Sequence, residues 1–336
     1  MLSDTQRRRL AGGFALPAIA AIGMAVLTAC SSGTASSGGT AASDGTVHIT
    51  VMRPSAATFE PEILAQQLGY FKAAGLTVTF KIAGDDLSQN VPPVLNGEVQ
   101  FASADAASLL KAVAAGVPVR AVMGVQESTA AGTPSDGLLV PASSPIKSIT
   151  DLKGKTVGVS DLGGLPQLTI EILAQKAGLN PADIHFVALP VTTLSSAAKS
   201  GKIDAFDTFG PFFAAAKAAG FRAIGRGSND LPGAPQGLIF ASASYLAAHA
   251  DVAKKFQEAI GKGIAYADSH PAAVRDVDAK YTPLPKSYVE TEPIPDYNTV
   301  LDKSVVTEIA KAMVTAGLIS DVPPDSQFYW SQAPTN

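Results

Sequence analysis

The chain has 336 residues, of which 46% are hydrophobic and 16% charged, with a net charge of −4. A mildly acidic balance offers neither the basic patch that nucleic-acid binding needs nor a polybasic face for anionic membranes. A single cysteine excludes an intramolecular disulfide and a thiolate metal cluster, and the four histidines have no ligand-like spacing, so no metal or cofactor is expected.

At the N-terminus, Arg7, Arg8 and Arg9 precede an apolar run from Leu10 to Ala29, interrupted by Gly12, Gly13 and Pro17. Leu27-Thr28-Ala29-Cys30 follows, and then a Ser/Gly/Thr/Ala-rich stretch. A positive start, a short apolar core and small residues before a cleavage point make an export signal. Leu-Thr-Ala-Cys resembles the lipobox of bacterial lipoproteins. That resemblance implies a signal peptide over 1–29, lipidation of Cys30 and a flexible linker over 30–45. An uncleaved membrane anchor is the other reading of the apolar run. Loss of three arginines and one aspartate with the leader would take the net charge from −4 to −6.

Beyond the linker the periodicity alternates. Thr46–Met52 reads as a strand, and Pro61 opens a helix that ends at Gly75. Leu76–Phe80 and Val99–Ala102 read as strands, then Asp105–Ala115 as a helix and Val117–Val125 as a strand. Thr156–Val159, Ile184–Leu189, Ile203–Phe206 and Phe221–Ile224 are further strands with helices between, one of them Pro166–Ala177. After 242 the chain is expected to be helical, over Asp251–His270 and Tyr297–Ala316. Ala74-Gly75-Leu76, Ala177-Gly178-Leu179 and Ala316-Gly317-Leu318 each read as a helix end, with glycine in the left-handed position. Alternation of this kind means α/β architecture, with sheets covered by helices on both faces.

Gly137-Leu138-Leu139-Val140 and Gly237-Leu238-Ile239-Phe240 are similar glycine-led apolar strands bracketing a stretch of domain size. Read as the crossings between two lobes, they place residues 46–138 and 240–336 in lobe one and 139–239 in lobe two.

Residues 61–76, with Gly69-Tyr70-Phe71 and Gly75-Leu76, resemble the first helix of the nitrate/sulfonate/taurine-type substrate-binding proteins of ABC transporters. Leu95-Asn96-Gly97-Glu98-Val99-Gln100-Phe101, Ala115-Gly116-Val117-Pro118-Val119 and Asp151-Leu152-Lys153-Gly154-Lys155-Thr156-Val157-Gly158-Val159 are similar to further signatures of that family. The resemblance spans Val47 to about Trp330. It implies a type 2 periplasmic-binding-protein fold, two parallel or mixed sheets joined by a two-strand hinge. It also implies a small ligand held in the cleft, delivery to an ABC permease and ATPase, and a monomer outside the cytoplasmic membrane. The chain departs from the family at Asp161 and Leu162, where small polar residues are usual, and at Phe209-Gly210-Pro211, where Trp-x-Pro is common. These departures favour a larger organic ligand, such as a sulfonate, taurine or heterocycle, over a simple oxyanion. Pro92-Pro93 is expected to shorten or shift the second helix.

In open α/β sheets the ligand sits outside the carboxyl ends of the strands. That rule selects Arg53, Thr58 and Phe59 after the first strand, Ser103 and Asp105 after Phe101, and Gln126 after Val125. In lobe two it selects Asp161, Gly163 and Gly164, then Thr208 and Phe209. Gly163 and Gly164 would let a ligand oxygen reach helix amides; equally, Asp161 only caps the helix and the glycines only turn the chain. Arg53 would either clamp an anion or pair with a neighbouring acid.

Two other functions share the architecture. A sensory or interaction lipoprotein would use the fold without transport. The thiamin-pyrimidine synthase of fungi depends on a cysteine-rich motif that a chain with only Cys30 cannot carry, so no enzyme is expected.

Overall fold

Two β-sheets organise residues 46–54, 59–83, 87–225 and 227–336, the residues that this computed structural model describes. The strands are β1 (Val47–Arg53), β2 (Leu76–Ile82), β3 (Phe101–Ala104), β4 (Val119–Glu127), β5 (Asp136–Val140), β6 (Thr156–Val159), β7 (His185–Ala188), β8 (Ala205–Phe209), β9 (Arg222–Ala223), β10 (Pro235–Ser242) and β11 (Asp296–Tyr297). The first sheet has the order β11-β4-β10-β3-β1-β2 and the second β7-β6-β8-β5-β9. β1 runs parallel to β2 and β3, and β6 parallel to β7 and β8. β10 and β5, the first strands after each change of sheet, run antiparallel to their neighbours. Both sheets are therefore mixed. The chain changes sheet between Glu127 and Asp136 and returns between Ala223 and Pro235.

β1 alternates because one face is buried: Ile49, Val51 and Arg53 point inward while Thr50 and Met52 are half-buried. On that side the amphipathic helix Ala250–Ser269 lays Phe256 against Phe101 (ring centroids 4.2 Å apart) and Phe71 (5.6 Å). The opposite face packs the helices Ala106–Ala114 and Lys303–Thr315 through Leu109, Leu110 and Met313.

The helix Leu165–Lys176 is a wedge shared by both sheets. Leu165, Leu168 and Ile172 join the apolar cluster of the first sheet. Ile170 and Ala174 join Leu138, Val157 and Val159 of the second. Lys176 also pairs with Glu308 at 2.8 Å. One amphipathic element with two apolar faces thus ties the two layers together.

Glycine ends its helices as the sequence implies. Gly75, Gly178 and Gly317 have φ of 74°, 80° and 71°. Leu179 N–H donates to Ala174 O at 2.8 Å and Leu318 N–H to Met313 O at 2.8 Å, closing the left-handed cap. Two elements differ from expectation. The helix expected from Pro61 to Gly75 is split into Glu60–Gln67 and Tyr70–Ala73, because Gly69 adopts φ 76° and interrupts the ladder. The helix expected from Tyr297 starts at Lys303, capped by Asp302, which accepts from Ser304 N–H at 2.8 Å. Tyr297 instead pairs with Gln126 at the edge of the first sheet. Pro92 and Pro93 sit at the start of a helix only five residues long, Val91–Leu95.

Candidate functional site

The strand β1, parallel to β3, ends beside the buried start of the helix Glu60–Gln67. Arg53 closes β1 and is only 5% exposed. Its guanidinium lies 4.2 Å over the Phe59 ring, and Nη1 donates to Pro54 O at 2.9 Å. Its Nε is buried with no hydrogen-bond partner among the described residues. Phe59 is fully buried beneath it, so its ring serves as packing and as a cation–π face for Arg53. Thr58 lies outside the described residues, as does Cys30.

Ser103, on β3, is 4% exposed, and its Oγ has no partner among the described residues, while its carbonyl accepts from Asn90 Nδ2 at 2.8 Å. Asp105 caps the helix Ala106–Ala114, accepting from Ser108 N–H and Oγ–H, each at 2.8 Å. Burial raises its carboxyl above the ordinary range, and Asp161 across the loops raises it further. Gln126, near the end of β4, has a buried Oε1 without a described partner.

In the second sheet Thr208 is 1% exposed and its Oγ1 is likewise unpartnered, whereas Phe209, next along β8, is 46% exposed. Asp161 is exposed; its carboxylate accepts from Ser160 Oγ–H at 3.1 Å and folds over the space where Gly164 lacks a Cβ. Gly163 takes φ 78°, which glycine alone adopts without strain, and Leu318 fills the space beside it. The Gly163 amide is already used: it donates to Gln167 Oε1 at 3.0 Å, and Gln167 Nε2 donates to Glu171 at 2.7 Å.

The structure therefore brings Asp105 towards Asp161, and Gly163 against Leu318 of the helix end that follows Lys303–Thr315. The shared outcome of the strand-end reading is a set of orphan polar atoms. Arg53 Nε, Ser103 Oγ and Gln126 Oε1 come from the first sheet and Thr208 Oγ1 from the second. Buried polar atoms are nearly always hydrogen-bonded, so each of these asks for a partner.

A cavity of about 300 Å³ lies beside these loops, under the first two turns of the helix Leu165–Lys176. Leu165 follows Gly164, and Asp207 precedes Thr208. The walls are apolar, with Leu138, Ile170, Leu173 and Ile224 among them, and Asp136, Asp207 and Asp230 supply carboxylates. None of the residues selected from the sequence lines it. One signal was available: Asp207 is a lone charge in the apolar strand Ala205-Phe206-Asp207-Thr208-Phe209.

A second group of acids was invisible in the sequence. Glu60, Glu62, Asp278 and Glu292 are all buried. Tyr297 Oη–H donates to Glu60 Oε2 at 3.2 Å, while neither oxygen of Glu62 has a described partner. Desolvation pushes the Glu62 carboxyl up to about 8, with Glu60 adding to the shift and Arg53 opposing it. Desolvation and then the neighbouring Glu60 and Glu292 raise Asp278 as well. No group of three or more His, Cys, Asp or Glu with metal-holding geometry occurs among the described residues.

Two mixed sheets, exchanged twice by the chain and bridged by one helix, define the two-lobe periplasmic-binding-protein fold. The chain belongs to the NMT1/THI5-like family, whose model matches residues 56–274. The periplasmic aliphatic sulphonate binding protein SsuA from Escherichia coli is similar in fold, with TM-score 0.71 and 19% identity over 85% of this chain and 98% of that one. The alkanesulfonate-binding protein SsuA from Xanthomonas axonopodis pv. citri, solved bound to MOPS, gives TM-score 0.66 and 19% identity over 84% and 98%. A putative thiamine biosynthesis protein of Haemophilus influenzae is 30% identical over 145 residues, and the match spans 43% of each chain.

Proposed function

We propose that this protein is an extracytoplasmic solute-binding protein that delivers a small organic molecule to the permease and ATPase of an ABC importer. The observation that carries the reading is the set of buried, unpartnered polar atoms at the strand ends of both sheets: Arg53 Nε, Ser103 Oγ, Gln126 Oε1 and Thr208 Oγ1. A solute bound between the lobes would supply their partners. Family membership and the fold shared with two sulfonate-binding proteins support the same reading. Asp105, Asp161, Gly163, Gly164 and Phe209 complete the proposed contact set, with Phe59 packed beneath Arg53; Thr58 lies outside the described residues. The division into residues 46–138 with 240–336 and residues 139–239 follows the two changes of sheet to within about a dozen residues. Binding without chemistry, by a monomer, is the role assigned.

A thermal-shift panel of sulfonates, carboxylates, pyrimidines and flavins tests this. A solute held only by the native state adds about 2.7 kcal/mol of stability at 100 times its Kd. At least one class should raise the melting temperature; a flat panel across all classes contradicts the proposal.

The leader carries its own expectation. Cys30→Ala should move the protein from the membrane fraction to a soluble or uncleaved form, because the sulfur that would carry the lipid is gone. Membrane retention unchanged by Cys30→Ala, or an unmodified Cys30 inside an intact N-terminus by mass spectrometry, contradicts lipidation.

A further inference from the structure

Arg53 and Glu62 are 5% and 0% exposed, and both are short of hydrogen bonds. Arg53 Nε has no partner among the described residues, and neither has either Glu62 oxygen. The two side chains are neighbours. Glu62 N–H donates to Phe59 O at 3.1 Å, one helical turn back, and the Arg53 guanidinium lies 4.2 Å over the Phe59 ring. Among charged groups Glu62 acts most strongly on Arg53. Buried charges are ordinarily paired directly, yet no hydrogen bond closes this gap. Ser103 stands next to Arg53. Val51 pairs with Phe101 and Met52 with Ala102 in parallel, so Arg53 and Ser103 follow in register and, by strand alternation, on one face. The Ser103 Oγ is orphaned as well.

The donors and acceptors left over define what would satisfy them. Arg53 Nε only donates, and Glu62 accepts in either protonation state. A sulfonate or carboxylate would suit Arg53 but bring no donor to Glu62. An ammonium would suit Glu62 but face the guanidinium. Either ion would also lose its hydration in a site closed to water, a cost that an uncharged head escapes. A group with C=O beside N–H answers both residues. Desolvation pushes the Glu62 carboxyl up to about 8, so near neutral pH it donates as well as accepts, which is the pattern complementary to an amide edge. We propose that Arg53 and Glu62, with Ser103 beside them, hold the uncharged amide head of the solute (a carboxamide, urea or lactam), its C=O toward Arg53 and its N–H toward Glu62. The inference rests on the solute-binding reading and gives that reading a substrate class. It also adds Glu62, which the strand-end rule does not select, to the contact set.

The test uses four probes with one stem: hexanamide, N,N-dimethylhexanamide, hexanoate and n-hexylamine, titrated into the full chain by calorimetry and thermal shift near neutral pH. Hexanamide should bind at least tenfold tighter than each of the others. Glu62→Met, close in length but without the carboxyl, should bring hexanamide down to the level of its dimethyl form. Glu62→Gln, which keeps a donor and an acceptor, should keep hexanamide ahead. Asp321→Asn, at an exposed acid outside the proposed site, should keep the wild-type order. The comparison of probes on the wild-type chain stands even if Glu62→Met fails to fold. Equal binding of the two amides, no binding of hexanamide, or a preference untouched by Glu62→Met overturns the proposal. Loss of the preference in Glu62→Gln overturns it as well, because charge rather than the donor–acceptor pair would then be recognised. Tight hexanoate binding indifferent to Glu62 overturns it too, yet leaves the solute-binding reading in place; that reading falls only if the wider panel is flat.

Discussion

Stability is expected to fall steeply as pH rises from about 5 to 8. Glu62 keeps its proton in the folded chain up to about 8, because the site at the start of its helix is fully desolvated. In the unfolded chain the same carboxyl ionises near its ordinary value of about 4.3. Below that value both states are protonated and the group is neutral to stability. Between the two values the folded state binds one more proton than the unfolded state, so each pH unit costs about 1.4 kcal/mol. Across pH 5 to 8 Glu62 alone costs on the order of 4 kcal/mol, and Glu60, Asp278 and Glu292, all raised chiefly by desolvation, act in the same direction. A drop of this size lowers the melting temperature by on the order of 10 °C. Glu62→Gln should flatten the dependence, because it removes one ionisable group and keeps the shape. Melting curves from pH 5 to 9 that stay level in the wild-type chain would contradict the burial of these acids.

The second large effect is at Gly263. This glycine lies on the buried face of the helix Ala250–Ser269, and the Pro61 carbonyl occupies the place where a Cβ would stand. The obstacle is backbone, so no rotamer change relieves it. Gly263→Ala should push the helix Glu60–Gln67 outward and cost about 3 kcal/mol or more. The same helix supplies its own control. At Gly261 the nearest atom to an added Cβ is Thr299 Cγ2 at 4.0 Å. There Gly261→Ala should stabilise by up to about 1 kcal/mol, from helix propensity alone. Denaturant midpoints shifting in opposite directions are the expected result; a harmless Gly263→Ala would contradict this close helix approach. The displacement would also carry Glu60 and Glu62 with it, so the steep pH dependence should weaken in the variant.

The contrast between elements explains what the sequence could reveal. Thr156–Val159 and the helix Leu165–Lys176 follow from local period and a terminal glycine cap, and they stand within a residue of expectation. The sequence places Tyr297 at the start of a helix; a tertiary contact, the open edge at Gln126, makes it a strand instead. The strand-end rule selects Ser103, Gln126 and Thr208, whose side chains carry orphan atoms in the folded chain. It also selected Phe59, whose depth depends on Arg53 folding back over it, an event that no local pattern encodes. The acid cluster joins Glu60 and Glu62 to Asp278 and Glu292 across more than two hundred residues, so only the fold assembles it. The cavity has the same origin, because its described lining comes from three strands, the segment 147–149, one helix and the return crossing.

The sharpest single measurement is a calorimetric titration of whichever solute gives the largest thermal shift, into the wild-type, Ser103→Ala and Thr208→Val chains. Ser103 belongs to the first sheet and Thr208 to the second, and each carries a hydroxyl with no described partner. Both variants should fold at least as stably as wild type. Binding should be one solute per chain, and each variant should lose about tenfold in affinity, about 1.4 kcal/mol. Affinity retained in both variants, or lost in only one, would contradict a solute held jointly by the two lobes.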